Sequence, residues 1–497
     1  MTGYKGNKLG LLALTEMHGL ELPHPASQSF VVASARKTER DTTGVKEYYP
    51  SKYARESAVD HLVFALKNEP LDLRVWHAIM MAIERSTITR WVVEQPISAY
   101  ARRTWYLYET LTRTHLPLPD LDRGNYADLA DPEKQITWGS HKSLRHRITD
   151  NLGIHRGWCP LVRLTPKIKA GREAGLREAA SRIAQNVSPE LFARVARYLY
   201  LSETKSSYAL ENETPDRNRE AKFVSLLERA GQDEVFDEAA LTKLQALIVQ
   251  DSRFVATGWR TIQNYVGRTR LNYEEEVVYP CPRPQDVPNL MAAWMNFASG
   301  DSNDEIALAA AVAFGFVYLH PFLDGNGRLH RFLIHHILGK NNFTPKGVIL
   351  PVSAAILRHQ DEYDRVLRSV SSIVTPFVDF LLNDRNEMDV RNETVDLYRY
   401  PDLTPHVEFL YECLQETIEK DWPNELNFLK RFDAASNAVQ SVVDMPDPKL
   451  RLLVKLILQN QGKLAQGKRK LFDFLTDDEL TEIESRLAAV DTEFAVL

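Results

Sequence analysis

An apolar run that stops at a proline sets what this chain can build. Residues 305–319 read EIALAAAVAFGFVYL. Apolar side chains face nearly every direction, so a helix over them is buried all round. Ser302, with Glu305 three residues on, has the pattern of a capping box at its start. Pro321 disfavours helical geometry at the residue before it, so the helix should end at His320. The next helical pattern is RLHRFLIHHIL, which begins at Arg328. A short loop therefore joins two helices, and it carries most of the reactive side chains of the region.

The twelve residues His320-Pro-Phe-Leu-Asp-Gly-Asn-Gly-Arg-Leu-His-Arg331 hold a base, an acidic residue, two glycines and two arginines. Gly325 and Gly327 permit backbone angles closed to other residues. Their N–H groups and that of Asn326 can converge on an anion just before the second helix. Arg328 and Arg331 are three apart, so they share a helix face. Two planar cations beside an N–H nest suit a polyphosphate. Asp324 is a hard oxygen donor suited to a magnesium ion that bridges phosphates. Taken singly, each of these residues has a structural explanation. A histidine after an apolar helix caps it, Gly-Asn-Gly makes a turn, and paired arginines line a solvated face. Their coincidence at one junction favours chemistry. His330, His335 and His336 gain nothing from it and read as structural or surface residues.

This run resembles the core motif of the Fic (filamentation-induced-by-cAMP) family, whose typical members transfer AMP from ATP to protein hydroxyls. All nine of its usual fixed positions are filled, by His320, Pro321, Phe322, Asp324, Gly325, Asn326, Gly327, Arg328 and Arg331. Upstream, Ser206-Ser-Tyr-Ala-Leu-Glu-Asn212 resembles the inhibitory-helix motif of autoinhibited members, with Ser207, Glu211 and Asn212 in its three positions. The resemblance implies that Glu211 pairs with Arg331 and takes the arginine that should hold the γ-phosphate. An ordinary helix end with Asn212 as its cap is the structural alternative. Gly258-Trp-Arg-Thr-Ile-Gln-Asn-Tyr-Val-Gly267, followed by a proline-rich turn to Pro284, resembles the family's flap hairpin. Thr261, Ile262, Gln263, Asn264, Tyr265 and Val266 include β-formers that can pair with an extended target peptide; a plain surface hairpin is the alternative. Further on, Asp361-Glu-Tyr363 resembles a segment of the nucleoside pocket, which brings in Tyr363.

Composition frames the rest. The net charge is -6 over 497 residues, so no global basic field points to nucleic acid. Cys159, Cys281 and Cys413 are too scattered for a disulfide framework or a zinc site, and a reducing cytoplasm is the expected home. The opening MTGYKGNKLGLLALTEMHG is too soon interrupted for a signal peptide, and no run is long and apolar enough to span a membrane. Polar, proline-bearing stretches at 116–135 and 383–405 suggest three units. These are a helical N-terminal region at 1–135, a catalytic domain at 136–390 and a C-terminal helical domain at 391–497. The catalytic unit would hold the inhibitory helix at about 202–213 and the core motif at 320–331. Helical spacing is seen over 60–67, 74–83, 407–429, 449–458 and 475–487. The basic stretch 463–470 reads as a solvated connection rather than a nucleic-acid contact.

The expected fold is mainly α, with a Fic-type helical core and a small β-hairpin flap. The resemblance implies an adenylyltransferase using ATP and Mg²⁺. His320 would accept the proton of a target Ser, Thr or Tyr hydroxyl, with self-modification as a further outcome. Arg328 would hold the β-phosphate and Arg331 the γ-phosphate. A homodimer accords with the resemblance. Three alternatives stand beside this: hydrolytic removal of AMP with Glu211 orienting water, transfer of another nucleotide or of phosphate, and a nucleotide-sensing binding protein. The phosphate-transferring relatives lack the second motif glycine, which is present here as Gly327. A sensor needs no base, which sets His320 against the last.

Overall fold

The computed structural model describes residues 7–33, 37–41, 44–185, 187–249, 253–269, 275–300, 302–460 and 462–495. The first six residues of the opening stretch lie outside them. Among the described residues helices dominate, and the sheets are small: one of four strands, one of three and two hairpins. Buried apolar side chains gather into a first core from Leu11 to Leu161 together with Tyr400, a second from Ile136 to Trp422 and a third from Ala435 to Leu487.

The N-terminal region is not purely helical, as the sequence reading had it. Asn7–Leu9 pairs antiparallel with Ser27–Val32, which runs parallel to Gly44–Pro50, and Lys37–Asp41 closes the far edge. Phe30, Val31, Val32, Val45, Tyr48 and Tyr49 suit a pleated, half-buried surface. Period-two patterns this short are easily passed over beside the stronger helical signals that follow. Those signals correspond to Ala58–Asn68 and Leu73–Ala82.

In the second core the Glu305–Leu319 helix is buried on all sides, from Ile306 through Phe316 without a break. Phe314 is 1% exposed and touches the rings of His330, Tyr363 and His406. Truncating such a side chain to alanine costs about 3–5 kcal/mol. The cap of this helix is Asp304, not Ser302. The Asp304 carboxylate accepts from Ala307 N–H at 2.8 Å, from Arg172 at 2.6 Å and from Tyr411 O–H at 2.9 Å. Ser302 instead accepts from Asp304 N–H, and Glu305 turns outward to Arg177. A buried carboxylate with three donors outcompetes a half-exposed hydroxyl for the helix start.

The polar stretch 383–405 is an excursion within the second core rather than its end. It leads to the Thr404–Glu416 helix, whose Val407, Leu410 and Leu414 belong to the same core as the Glu305–Leu319 helix. A π turn over Thr417–Asp421, just before Pro423, continues that helix into Trp422–Gln440. The third core gathers the later part of that rod with the helices Asp447–Gln459 and Asp477–Ala495. Residues 463–470 connect those last two, mostly as a 3₁₀ segment over Gln466–Phe472. Among the described residues no helix is long and apolar enough to cross a membrane. Cys159, Cys281 and Cys413 are buried and unpaired.

Candidate functional site

The loop after the buried helix is held open from within. His320 closes the Glu305–Leu319 helix in the left-handed conformation, φ 47° and ψ 58°. Its Nδ1 lies 3.1 Å from the Val317 carbonyl, which fixes the proton on Nδ1 and leaves the Nε2 lone pair free. Burial pushes its pKa down to about 4, helped by the Arg260 charge and opposed by the Val317 bond. The imidazole is therefore neutral at pH 7. Asn326 clamps the loop, accepting from Phe322 N–H at 3.1 Å and donating to Phe322 O at 2.8 Å. Its amide is thus committed inward.

Gly325 precedes the Asn326–Lys340 helix with φ 86°, a left-handed angle that glycine adopts freely. No side chain caps this helix, which leaves its first-turn N–H groups available to an anion. Asp324 stands at the mouth with its side chain 44% exposed. One carboxylate oxygen accepts from Gly325 N–H at 2.6 Å and from Arg328 at 3.2 Å, and the other has no hydrogen-bond partner among the described residues. Among the described residues no group of three or more His, Cys, Asp or Glu could hold a metal by itself. One hard carboxylate oxygen facing outward fits Mg²⁺, which takes one or two protein carboxylates and completes its shell with phosphates and water.

Arg328 and Arg331 do share a face, and both are almost fully buried. A carboxylate from another helix lies across them. Glu211 Oε1 is 2.6 Å from Arg331, and its Oε2 is 2.8 Å from Arg328. The sequence reading gave Glu211 one arginine; it engages two. Arg331 also donates to Ser207 Oγ at 2.6 Å and to Ser207 O at 2.7 Å. Burial would lower the Arg328 pKa, but the charges of Glu211, Asp324 and Glu213 outweigh it and raise it. A Cβ at Gly327 would come within 2.5 Å of Glu211 Oε1, so the bridge needs glycine there.

The helix that delivers Glu211 starts earlier than the motif, spanning Pro189–Ala209. It ends in a Schellman turn. Glu213 N–H reaches Tyr208 O at 3.0 Å, Asn212 N–H reaches Ala209 O at 2.9 Å, and Asn212 has φ 57°. Asn212 as a helix cap and Asn212 as the last motif position are one fact: the left-handed turn lifts Glu211 off the helix end toward the arginines. The Tyr208 ring lies between Arg219 and Arg328, 4.7 and 5.3 Å from its centroid.

Tyr363 is buried beside Arg331, and burial pushes its phenol up to about 12. The flap hairpin pairs Tyr265–Thr269 with Glu275–Pro280, with a bulge at Val266/Gly267. Of the six flap residues read from sequence, only Tyr265 and Val266 lie in the strand. Thr261–Asn264 are an irregular lead-in, in which the Gln263 amide donates to Cys281 O and Asn264 Oδ1 accepts from Tyr265 N–H. His330, His335 and His336 are all buried rather than at the surface. They pack on Phe314 at 4.5 Å, pair with Glu203 at 2.8 Å and accept from Gly231 N–H at 3.2 Å, respectively.

Three contributors were missed in the sequence. Arg260 ties the flap base to the loop, with its backbone N–H on Pro321 O and its Nε on His320 O, each at 2.8 Å. Gln245 braces the loop from behind at Asp324 O, 3.1 Å away. Glu213 stands 3.7 Å from Arg328 and pairs with Arg219. Arg260 lies inside the flap string, but its role depends on two loop carbonyls that the sequence does not mark. Gln245 and Glu213 carry no local signal.

Residues 235–338 match the model of the Fic/DOC family. A protein named "Protein adenylyltransferase Fic" from Drosophila grimshawi is 29% identical over 141 residues, covering 27% of this chain and 26% of that protein. Its namesake from Drosophila melanogaster is 28% identical over 145 residues, covering 28% and 27%. The chain thus matches about a quarter of the length of these curated relatives. Among solved structures, a Fic family protein from Desulfovibrio desulfuricans G20 aligns with TM-score 0.40 and 22% identity over 56% of this chain and 80% of that one. Fic-1 from C. elegans aligns with TM-score 0.35 and 14% identity over 75% of this chain and 100% of that one.

Proposed function

Since the chain carries a Fic/DOC family domain at 235–338, we propose that it is a protein adenylyltransferase, cytoplasmic and restrained by its own Glu211. The observation that carries this reading is the Glu211 carboxylate bridging the two arginines of an otherwise complete nucleotide-handling loop. ATP is the co-substrate, and the acceptor is a hydroxyl of a protein, this one included.

The free Nε2 of His320 accepts the proton of the incoming hydroxyl, whose oxygen attacks the α-phosphorus. Pyrophosphate leaves. The N–H groups at Asn326 and Gly327 receive the charge that grows on the α-phosphate, as oxyanion donors do, while that of Gly325 is held by Asp324. Arg328 and Arg331 hold the β- and γ-phosphates through their planar forks. Asp324 would hold Mg²⁺, which would supply positive charge to the polyphosphate. Tyr363 closes the nucleoside side beside Arg331, and Arg260 keeps the His320 carbonyl, hence the base, in place. With Glu211 across both arginines, the triphosphate loses its two cationic anchors and sits misaligned.

The same side chains suit the reverse reaction, in which Glu211 would orient a water to remove AMP. Transfer of label from α-phosphate-labelled ATP by wild type and by Glu211→Gly protein separates the two. Gain of transfer supports restraint; loss of an AMP-removing activity would put the hydrolytic reading in its place.

Two further outcomes are expected. Because the His320 pKa is depressed to about 4 from 6.5, the base form persists as the pH falls and is lost only through that lower value. In Glu211→Gly protein, kcat/KM should therefore hold between pH 7 and pH 5.5 at least as far as His320 is concerned. A fall with an inflection near 6.5 that disappears in no other variant would contradict it. At the flap, backbone pairing should set target register. Val266→Pro, which removes a strand donor, is expected to lower target modification more than Ile262→Ala, although Ile262 is the more exposed side chain. Circular dichroism checks the fold in each, and equal rates in the two variants would rule out strand addition here.

A further inference from the structure

Away from the loop lies a cavity of about 380 Å³ lined by Arg113, Arg156, Arg399, Asn289 and Asn296. It shares no residue with the candidate active site. Arg113 follows the Ala99–Thr112 helix, and Arg156 ends the short turn Ile154–Arg156. Asn289 and Asn296, seven apart, stand on the outer face of the Val287–Ala298 helix. Arg399 closes the Val395–Arg399 helix. The cavity thus sits where segments of the first and second cores meet.

The charges here are not balanced. Arg399 is 13% exposed, pairs with Asp396 at 3.0 Å and donates to Gly157 O at 2.9 Å. Among the described residues Arg113 and Arg156 make no ion pair or side-chain hydrogen bond. Three arginines line one concave space, and one carboxylate pairs with one of them. Arg113 is exposed and Arg156 half-buried, so both are open to an anion from solvent, and like charges set side by side favour one between them. This happens in a chain whose net charge is -6, so a general excess of basic residues does not account for it.

We propose that this cavity binds a small phosphate-bearing ligand. Each arginine presents five N–H donors in a planar fork, and the two asparagine amides add more. A lone carboxylate cannot accept from so many donors; a phosphate or polyphosphate, with three or more oxygens per phosphorus, can. The volume lies within the range of small-molecule sites, roughly 300–1,000 Å³. A nucleotide and a free polyphosphate share this chemistry, and the test separates them.

The test is isothermal titration of the full chain at low salt, in EDTA, with sodium pyrophosphate and separately with ADP. Wild type, an Arg113→Ala/Arg156→Ala double variant, Arg156→Lys and Arg331→Ala are compared. The double variant is expected to lose a pyrophosphate site that Arg331→Ala keeps, with affinity falling by about 10-fold for each guanidinium removed. Arg156→Lys, which keeps the charge but not the fork, should fall in between. Equal affinity for ADP and pyrophosphate would assign a polyphosphate site, and tighter ADP a nucleotide site; either supports the proposal. Thermal melting shows that each variant is folded. Pyrophosphate binding that is absent from wild type, unchanged in the double variant or abolished by Arg331→Ala alone would overturn it.

Discussion

Glu211→Gly protein is expected to transfer AMP at least ~10²-fold faster than wild type, since a displaced reacting geometry alone costs about that much. The reason is the double bridge. One carboxylate, 25% exposed, sits on two guanidinium groups that are 3% exposed or less. Glycine removes the carboxylate and returns both arginines to the phosphates. The same change leaves two buried cations without their partner, and breaking a buried pair costs about 3–5 kcal/mol. The variant should therefore melt at a lower temperature than wild type without nucleotide and gain more from added ATP. Arg331→Ala will not imitate the activation, because it deletes a phosphate anchor along with the bond to Glu211. Glu211→Gly protein no more active than wild type would end the restraint reading.

His320→Ala, placed on the Glu211→Gly background, should silence transfer while leaving ATP binding largely intact. Removing a general base lowers rates by ~10²–10⁴-fold. The imidazole serves the proton and not the phosphates, which are met by Arg328, Arg331 and the loop N–H groups. Fluorescent-nucleotide titration read beside the rate distinguishes the roles. If nucleotide affinity falls as far as the rate, His320 is a structural residue that holds the loop through Val317.

The parts of this site that could be read in the sequence are those that local chemistry fixes. The helix ending before Pro321 and the left-handed Gly325 follow from residue types at fixed spacings, whereas the second helix starts at Asn326, two residues before the expected Arg328. The shared face of Arg328 and Arg331 also follows from spacing. What escaped depends on elements brought together over long separations. The second arginine under Glu211 is visible only once the Pro189–Ala209 helix is docked. Arg260 and Gln245 act through backbone carbonyls of the loop, and a carbonyl leaves no mark in a sequence. Asp304 displaced Ser302 as a cap because Arg172 and Tyr411 converge on it from distant helices. The N-terminal sheet was missed for a different reason: its strands are short and half-buried, and longer helical periods nearby dominated the reading. The polar stretch 383–405 looked like a boundary because surface excursions and linkers share a composition.

The central claim is that this chain moves AMP. The most direct measurement is intact-mass spectrometry of Glu211→Gly protein after incubation with ATP and Mg²⁺, with the His320→Ala double variant alongside. The expected result is the added mass of one or more AMP groups on the single variant and none on the double. An unmodified single variant that also leaves added proteins unmodified, or an adduct with the mass of phosphate instead, would contradict it.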